Sequence, residues 1–148
     1  MVDCFEKEDG RISSDNHTYK SDRVLDILRP RLMRLGFAVE QKNKRERIRV
    51  PVLFGRRGEW QKSFEVDAYH IDAKTVIEIE AGRAYLNFQF LKDVFEACVM
   101  YNVENLAIAV RKTYLGGRDF EKILDFMDTL YASGRMVIPL RGVLILGY

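Results

Sequence analysis

Three acidic residues lie in two neighbouring stretches of the chain that have the composition of β-strands. Asp67 lies in the stretch 60–70, and Glu78 and Glu80 lie in the stretch 74–80. Because successive side chains of a strand point to opposite faces, Glu78 and Glu80 share one face of the second strand. A short turn joins the two stretches, so we expect them to pair and to bring the carboxylates of Asp67 and Glu78 to one place.

Carboxylates that are brought together repel each other, and a cation is the usual compensation. Two unit charges about 4 Å apart interact by about 4 kcal/mol at an effective dielectric constant of about 20. Mg²⁺ prefers hard oxygen ligands, and the backbone carbonyl of Ile79, between the two glutamates, would add one. The alternative is that Glu78 and Glu80 lie on a solvated strand face. The isoleucines on both sides of Glu78 favour a metal site, because acids are rare in apolar strands.

A block of positive charge precedes these acids. Between positions 42 and 62 there are two acidic and eight basic residues, and the basic ones are Lys42, Lys44, Arg45, Arg47, Arg49, Arg56, Arg57 and Lys62. Clustered lysine and arginine bind polyanions by releasing the counterions of phosphates, which favours a nucleic-acid-binding surface. A solvated hairpin without a partner is an equally good interpretation of the same block.

The hydrophobic pattern predicts a single α/β domain over residues 21–148, preceded by a flexible arm at 1–20. Helices are predicted at 21–35, 85–101 and 118–133, and strands at 37–41, 48–54, 60–70, 74–80, 105–110 and 142–146. In the second helix, Phe88, Leu91 and Phe95 are expected on the core side. This order of elements predicts a mixed central β-sheet flanked by helices.

The composition excludes several classes of protein. The chain has 148 residues, 47% of them hydrophobic, a net charge of +2, and no apolar run long enough to cross a bilayer. Its two cysteines, Cys4 and Cys98, and its two histidines have no zinc-ligand spacing. We therefore expect a reduced, cytoplasmic protein with no membrane partner.

The acidic motif and its setting resemble a known family. Glu78 follows Asp67 by eleven residues, and the segment Ile77-Glu78-Ile79-Glu80 lies in a predicted meander after a predicted helix. This pattern is similar to that of the PD-(D/E)XK nuclease superfamily, which has the restriction-endonuclease-like fold. That fold has a core of helix, three-strand meander, helix and strand, and here a C-terminal helix and strand follow. The chain is a variant, because Val66 stands at the family's proline position and Glu80 at its lysine position, where some type II restriction enzymes also have an acidic or amide residue.

The resemblance implies a Mg²⁺-dependent endonuclease, a hydrolase that cuts nucleic acid, with double-stranded DNA as the expected substrate and Mn²⁺ as a substitute ion. Asp67, Glu78 and the carbonyl of Ile79 would bind the metal. Glu80 would hold or deprotonate the attacking water, or help to bind a second metal. Lys92 would replace the missing family lysine if it projects from the second helix towards the metal.

Three further residues are weaker candidates. Arg83 and Gln89 would contact phosphate near the start of the second helix, where backbone N–H groups favour anions. Glu40 would be the additional acid that many family members have. For each of them, an ordinary surface position is the alternative interpretation.

Two other functions remain open from the sequence. The first is a catalytically inactive nuclease-fold module that binds nucleic acid or another protein, which the glutamate at the lysine position favours. The second is a structural protein that oligomerises through the apolar stretch 143–146. A homodimer is also expected of a nuclease that has one site in each chain and cuts both strands of a duplex.

Overall fold

The computed structural model describes residues 1–41 and 47–148. Three of the residues predicted to bind nucleic acid, Lys42, Lys44 and Arg45, lie outside the described residues.

From residue 21 onward, the described helices and strands follow the predicted order, except that the stretch 60–70 forms two strands. The helices are α1 (Val2–Glu6), α2 (Asp9–Ile12), α3 (Ser21–Arg34), α4 (Gln89–Val99) and α5 (Asp119–Ser133). The strands are β1 (Ala38–Val39), β2 (Ile48–Phe54), β3 (Trp60–Val66), β4 (Ala68–His70), β5 (Thr75–Glu80), β6 (Asn105–Val110) and β7 (Gly142–Gly147). In the part of the chain that the structure describes, no helix has the length and apolar composition to cross a membrane.

The central sheet has the strand order β1-β4-β5-β6-β7. The strands β1, β4 and β5 are antiparallel neighbours, whereas β5, β6 and β7 run parallel to one another. Parallel neighbours need a long crossover connection, and α4 and α5 supply the two crossovers. The prediction of one α/β domain with a mixed sheet flanked by helices is therefore confirmed.

One part of the predicted meander is wrong. The strands β2 and β3 pair with each other in a separate two-stranded hairpin, and the central sheet continues from β1 to β4. The stretch 60–70, predicted as one strand, bends at Asp67, where the chain leaves the hairpin and joins the sheet. As a result, Val66 and Ala68, which would share one face of an unbroken strand, are buried in two different apolar layers.

Those two layers cover the two faces of the sheet. One contains α3 and includes Leu28 and Leu32 together with Ile77 and Ile79 of β5. The other contains α4 and α5 and includes Val76, which precedes Glu78 on its own face of β5. The predicted alternation along β5 is therefore confirmed, and Glu78 faces the layer that contains α4.

The first twenty residues are more closely packed than the predicted flexible arm. Cys4 and Phe5 of α1 and Ile12 of α2 are buried in the same layer as α3. The buried Glu8 accepts hydrogen bonds from Arg11 at 2.7 Å and from Arg31 of α3 at 2.6 Å. The sequence did not indicate this packing, because helices of four and five residues are too short to show a periodic apolar face.

Candidate active site

The bend at Asp67 places its carboxylate against β5. Oδ2 of Asp67 accepts a hydrogen bond from the backbone N–H of Ile79 at 2.8 Å. The backbone carbonyl of Asp67 accepts another from the N–H of Glu40, also at 2.8 Å. Asp67 is thus fixed between the end of β1 and the middle of β5, beside Glu78.

Glu78 lies among other acids. Burial raises its pKa well above the ordinary value, and the charges of Asp67 and Asp93 add to the effect. Ala68 pairs with Ile77, so the preceding Asp67 lies next to Glu78 on the neighbouring strand. The structure therefore places Asp67 beside Glu78, and Asp93 of α4 also acts on Glu78.

Sequence reasoning missed two acids of α4, Asp93 and Glu96. Asp93 is only 4% exposed, and its Oδ2 is buried without a hydrogen-bond partner. Burial, followed by the charge of Glu80, raises the pKa of Asp93 to about 7. A signal was present in the sequence, because Asp93 occupies a position in the apolar stripe of Phe90, Val94 and Ala97. An acid within such a stripe needs a partner or a function.

Lys92 extends from α4 into the same group of acids. Its Nζ lies 3.4 Å from Oε2 of Glu96 and 3.7 Å from Oδ1 of Asp93. Partial burial opposes its charge, but Asp93 and Glu96 outweigh this effect, and the pKa of Lys92 is raised, with Glu78 contributing. Lys92 is therefore the positive charge nearest to Asp93 and Glu96 on α4.

Glu80, at the end of β5, borders a cleft of about 560 Å³. The lining of this cleft also includes Lys20, Asp22 and Arg111, and Arg111 directly follows Val110, the β6 partner of Glu80. The hydroxyl of Tyr148 donates a hydrogen bond to the backbone carbonyl of Glu80 at 3.1 Å and so fixes the end of the strand. The cleft thus contains two acidic and two basic side chains.

The candidate additional acid, Glu40, is not a surface residue. It is only 3% exposed, Arg47 makes an ion pair with its carboxylate, and Arg29 donates to its backbone carbonyl at 2.8 Å. Arg47 also lies 3.5 Å from Glu65. Both Glu40 and Arg47 are therefore committed to a local ionic network beside Asp67, which argues against a direct phosphate contact for Arg47.

Other predicted phosphate contacts are spread more widely. Arg56 and Arg57 are exposed in the turn between β2 and β3, at the end of β3 opposite Asp67. Seven strand residues span about 23 Å, so this turn is remote from the acids.

The second predicted helix, α4, begins at Gln89 and not at residue 85, because the chain turns before it, with positive φ at Arg83 and Phe88. Gln89 therefore lies in the first turn of α4, whereas the exposed Arg83 precedes the helix.

The donor chemistry of these acids suits a hard divalent cation. Within residues 1–41 and 47–148, no three acidic, histidine or cysteine side chains are already placed to bind one metal ion. Nevertheless, Oδ2 of Asp93 is buried without a hydrogen-bond partner, and burial, followed by the charges of Asp67 and Asp93, raises the pKa of Glu78. Carboxylate oxygens are the ligands that Mg²⁺ prefers, so the residues present fit this ion.

Comparison of the chain with protein-family models, with curated proteins and with solved structures found no match. The site must therefore be interpreted from its own geometry.

Gly82 controls the path of the chain directly after β5. Its φ is +145°, which L side chains rarely adopt, and a Cβ built there would lie 2.6 Å from Cε2 of Tyr114. We expect Gly82→Ala to lower the free energy of unfolding by at least about 2 kcal/mol, through backbone strain and displacement of Tyr114. Chemical denaturation of the variant and the wild type measures this loss.

Gly58→Ala is the matched control. Gly58 also has a positive φ, +74°, but nothing lies within 4 Å of a Cβ built on it. Its replacement should cost only about 1 kcal/mol, from the backbone conformation alone. Equal losses at Gly58 and Gly82 would contradict the importance of the contact with Tyr114.

Proposed function

We propose that the chain is a Mg²⁺-dependent nuclease that hydrolyses phosphodiester bonds of nucleic acid, with double-stranded DNA as the expected substrate. The observation that carries the proposal is the group of acids around Glu78: Asp67 lies beside it on the neighbouring strand, and the buried Asp93 and Glu96 lie on α4. Lys92 supplies one positive charge to this group. Ionisation of several buried carboxyls together is unfavourable, and a bound cation would compensate for it.

Each residue has a distinct role in the proposed reaction. Asp67, Glu78 and the carbonyl of Ile79 would bind Mg²⁺ or, in its place, Mn²⁺. The ion supplies Lewis acidity, which favours formation of hydroxide and neutralises charge on the scissile phosphate. Glu80 would orient the attacking water or take its proton, and Lys92 would stabilise the negative charge that develops on phosphate.

The order of elements supports the proposal. A helix, a three-strand meander, a helix and a strand are expected of the restriction-endonuclease-like core. The chain has α3, the antiparallel strands β1, β4 and β5, then α4 and the parallel strand β6. The β2–β3 hairpin lies between β1 and β4 in sequence and would be an insertion into that core. The acids lie on the third meander strand and at the bend before the second.

The cleft beside Glu80 also supports the proposal. Its volume of about 560 Å³ gives space for part of a nucleic-acid strand next to Glu80. Lys20 and Arg111, which line the cleft, would neutralise phosphate charge. The helix α3 begins at Ser21, which also lines the cleft, and the backbone N–H groups at a helix N-terminus favour phosphate.

A cleavage assay tests the proposal directly. We expect the purified protein to cut duplex DNA when Mg²⁺ or Mn²⁺ is present, and EDTA to stop the reaction because it removes the ion. Single-stranded DNA and RNA, assayed in parallel, measure the substrate preference. If none of the three substrates is cut with either ion, while circular dichroism shows folded protein, the proposed reaction is wrong.

The second candidate is an inactive nuclease-fold module that binds nucleic acid. Glu80 at the family's lysine position favours it, as does the exposure of Arg56 and Arg57 on the hairpin turn. Such a module would bind DNA in a salt-sensitive way, and binding would survive Glu78→Gln but weaken when Arg56 and Arg57 are both replaced by alanine. Binding of this kind without any cleavage would favour the module over the enzyme.

A further inference from the structure

The outward side of α4 carries an apolar stripe that is partly exposed among the described residues, and the exposed Lys92 lies at the edge of this stripe. The buried face contains Phe90, Asp93, Val94, Glu96 and Ala97. The outward face contains Leu91, Phe95 and Val99, which follow one another at intervals of four residues. Phe95 is 63% exposed, although the sequence predicts it on the core side. An exposed apolar stripe on a well-packed helix is a feature of interaction surfaces.

A groove continues this surface. Its volume is about 200 Å³, and it lies between α4 and the chain that follows α5, with Leu91, Phe95, Cys98, Leu130, Met136 and Val137 in its lining. Val137 is 88% exposed, and Met136 and Tyr131 are more than half exposed. The residues that line the groove carry no charge. A polyanion such as nucleic acid would find no favourable contact here, so the chemistry fits an apolar protein surface.

The size of the surface fits a stable protein interface. Phe95, Met136 and Val137, together with Val99 one helical turn after Phe95, expose roughly 400 Å² of mostly apolar area, which is within the range of the largest patch on a typical monomer. A standard interface buries about 800 Å² on each partner, of which about 60% is apolar. The patch therefore supplies most of the apolar part of one standard interface.

We infer that this face, which we call the α4 face, binds a second copy of the same chain. The arrangement of the stripe points to self-association, because Phe95 has one apolar residue four positions before it and another four positions after it. Two such helices can cross antiparallel at Phe95, and a two-fold axis there pairs Leu91 of one copy with Val99 of the other. This inference does not depend on the proposed nuclease activity.

The edge strand β7 is a less suitable surface for the same purpose. It pairs on one side with β6, and its other side is the edge of the sheet. However, five of its six residues are buried or half-buried, and only Leu144 is exposed. The exposed apolar area on the α4 face is larger than that on β7. We therefore assign self-association to the α4 face and not to the stretch 143–146.

Sedimentation velocity over a wide range of protein concentrations tests the inference. The 17.3 kDa chain should approach twice that mass as the concentration rises. We expect Phe95→Glu, and separately Val137→Glu, to raise the dimer dissociation constant at least about 30-fold, as loss of a central contact does. Val137 lies outside the helices, so its variant tests the α4 face even if Phe95→Glu disturbs α4.

The matched control is Ile71→Glu. Ile71 is similarly exposed, at 65%, but lies in the turn between β4 and β5. It should leave the dimer unchanged, and circular dichroism should show that all variants fold. A monomer at every concentration would overturn the inference. So would equal effects of Ile71→Glu and Phe95→Glu, or a dimer lost on Leu144→Glu but retained in both α4-face variants.

Discussion

Glu78→Gln is expected to abolish metal-dependent cleavage and, at the same time, to stabilise the protein at neutral pH without the ion. Removal of one charge that stabilises the transition state typically costs about 10²- to 10³-fold in rate, and loss of a metal ligand should cost at least as much. The gain in stability follows from the raised pKa of Glu78, because burial and the nearby Asp67 and Asp93 disfavour its charged form. A neutral amide of the same shape removes that cost.

The pair of measurements separates a functional role from a structural one. The cleavage rate should fall, whereas the midpoint temperature of thermal unfolding, measured without divalent ions, should rise. Such opposite changes are typical of residues selected for function at a cost in stability. Glu104→Gln is the control, because Glu104 pairs with Lys74 at 2.5 Å and with Arg141 at 3.1 Å, remote from the acids. That variant should retain cleavage and gain no stability. A Glu78→Gln protein that still cuts DNA at the wild-type rate would contradict the proposed site.

Asp93→Asn is expected to have the largest effect on stability, and the effect should depend on pH. The pKa of Asp93 rises from 3.8 to about 7 in the folded protein, first through burial and then through the charge of Glu80. Between these values the folded state binds more protons than the unfolded state, so the free energy of unfolding falls as pH rises. At about 1.4 kcal/mol per pKa unit, the loss from Asp93 approaches about 4 kcal/mol above pH 7. Asparagine has no such proton to lose.

Denaturation of the wild type and the variant at several pH values measures this difference. The two proteins should have similar stability near pH 4, and the variant should become more stable by several kcal/mol near pH 8. Asp128→Asn, on the exposed side of α5, is the control and should not alter the pH dependence. Mg²⁺ should stabilise the wild type more near pH 8 than near pH 5, because a cation binds the charged form. Parallel curves for wild type and Asp93→Asn would contradict the burial of a titrating acid at this position.

The sequence predicts the part of the site that depends on local alternation. Because β5 has a strict period of two, the shared face of Glu78 and Glu80 follows from residue order alone, and the apolar layer behind Ile77 and Ile79 follows with it. The convergence of Asp67 with Glu78 depends on one short turn and was also predictable. These features need only neighbouring strands and a polar-apolar pattern.

Other features depend on contacts that local patterns do not encode. The bend at Asp67 rotates the chain from the hairpin into the sheet, and a period of two cannot reveal a change of sheet partner. The orientation of α4 was mistaken because Phe88 and Phe95 suggested a core face that the helix instead exposes. Asp93 was missed for the same reason. Its place in the apolar stripe indicates burial, but only the packing of α4 on β5 shows that this acid lies near Glu78 and Glu80.

The hydrogen bond between Asp67 and Ile79 gives the molecule an internal reporter. Amide protons exchange with solvent only when their partner leaves, and most amides in a central strand report on opening of the sheet. The Ile79 amide is bound by a side chain instead, so its deuterium uptake follows the departure of Asp67 from β5. The exchange rate of the Ile79 amide thus measures local opening of the acidic site, and no substrate is needed for the measurement.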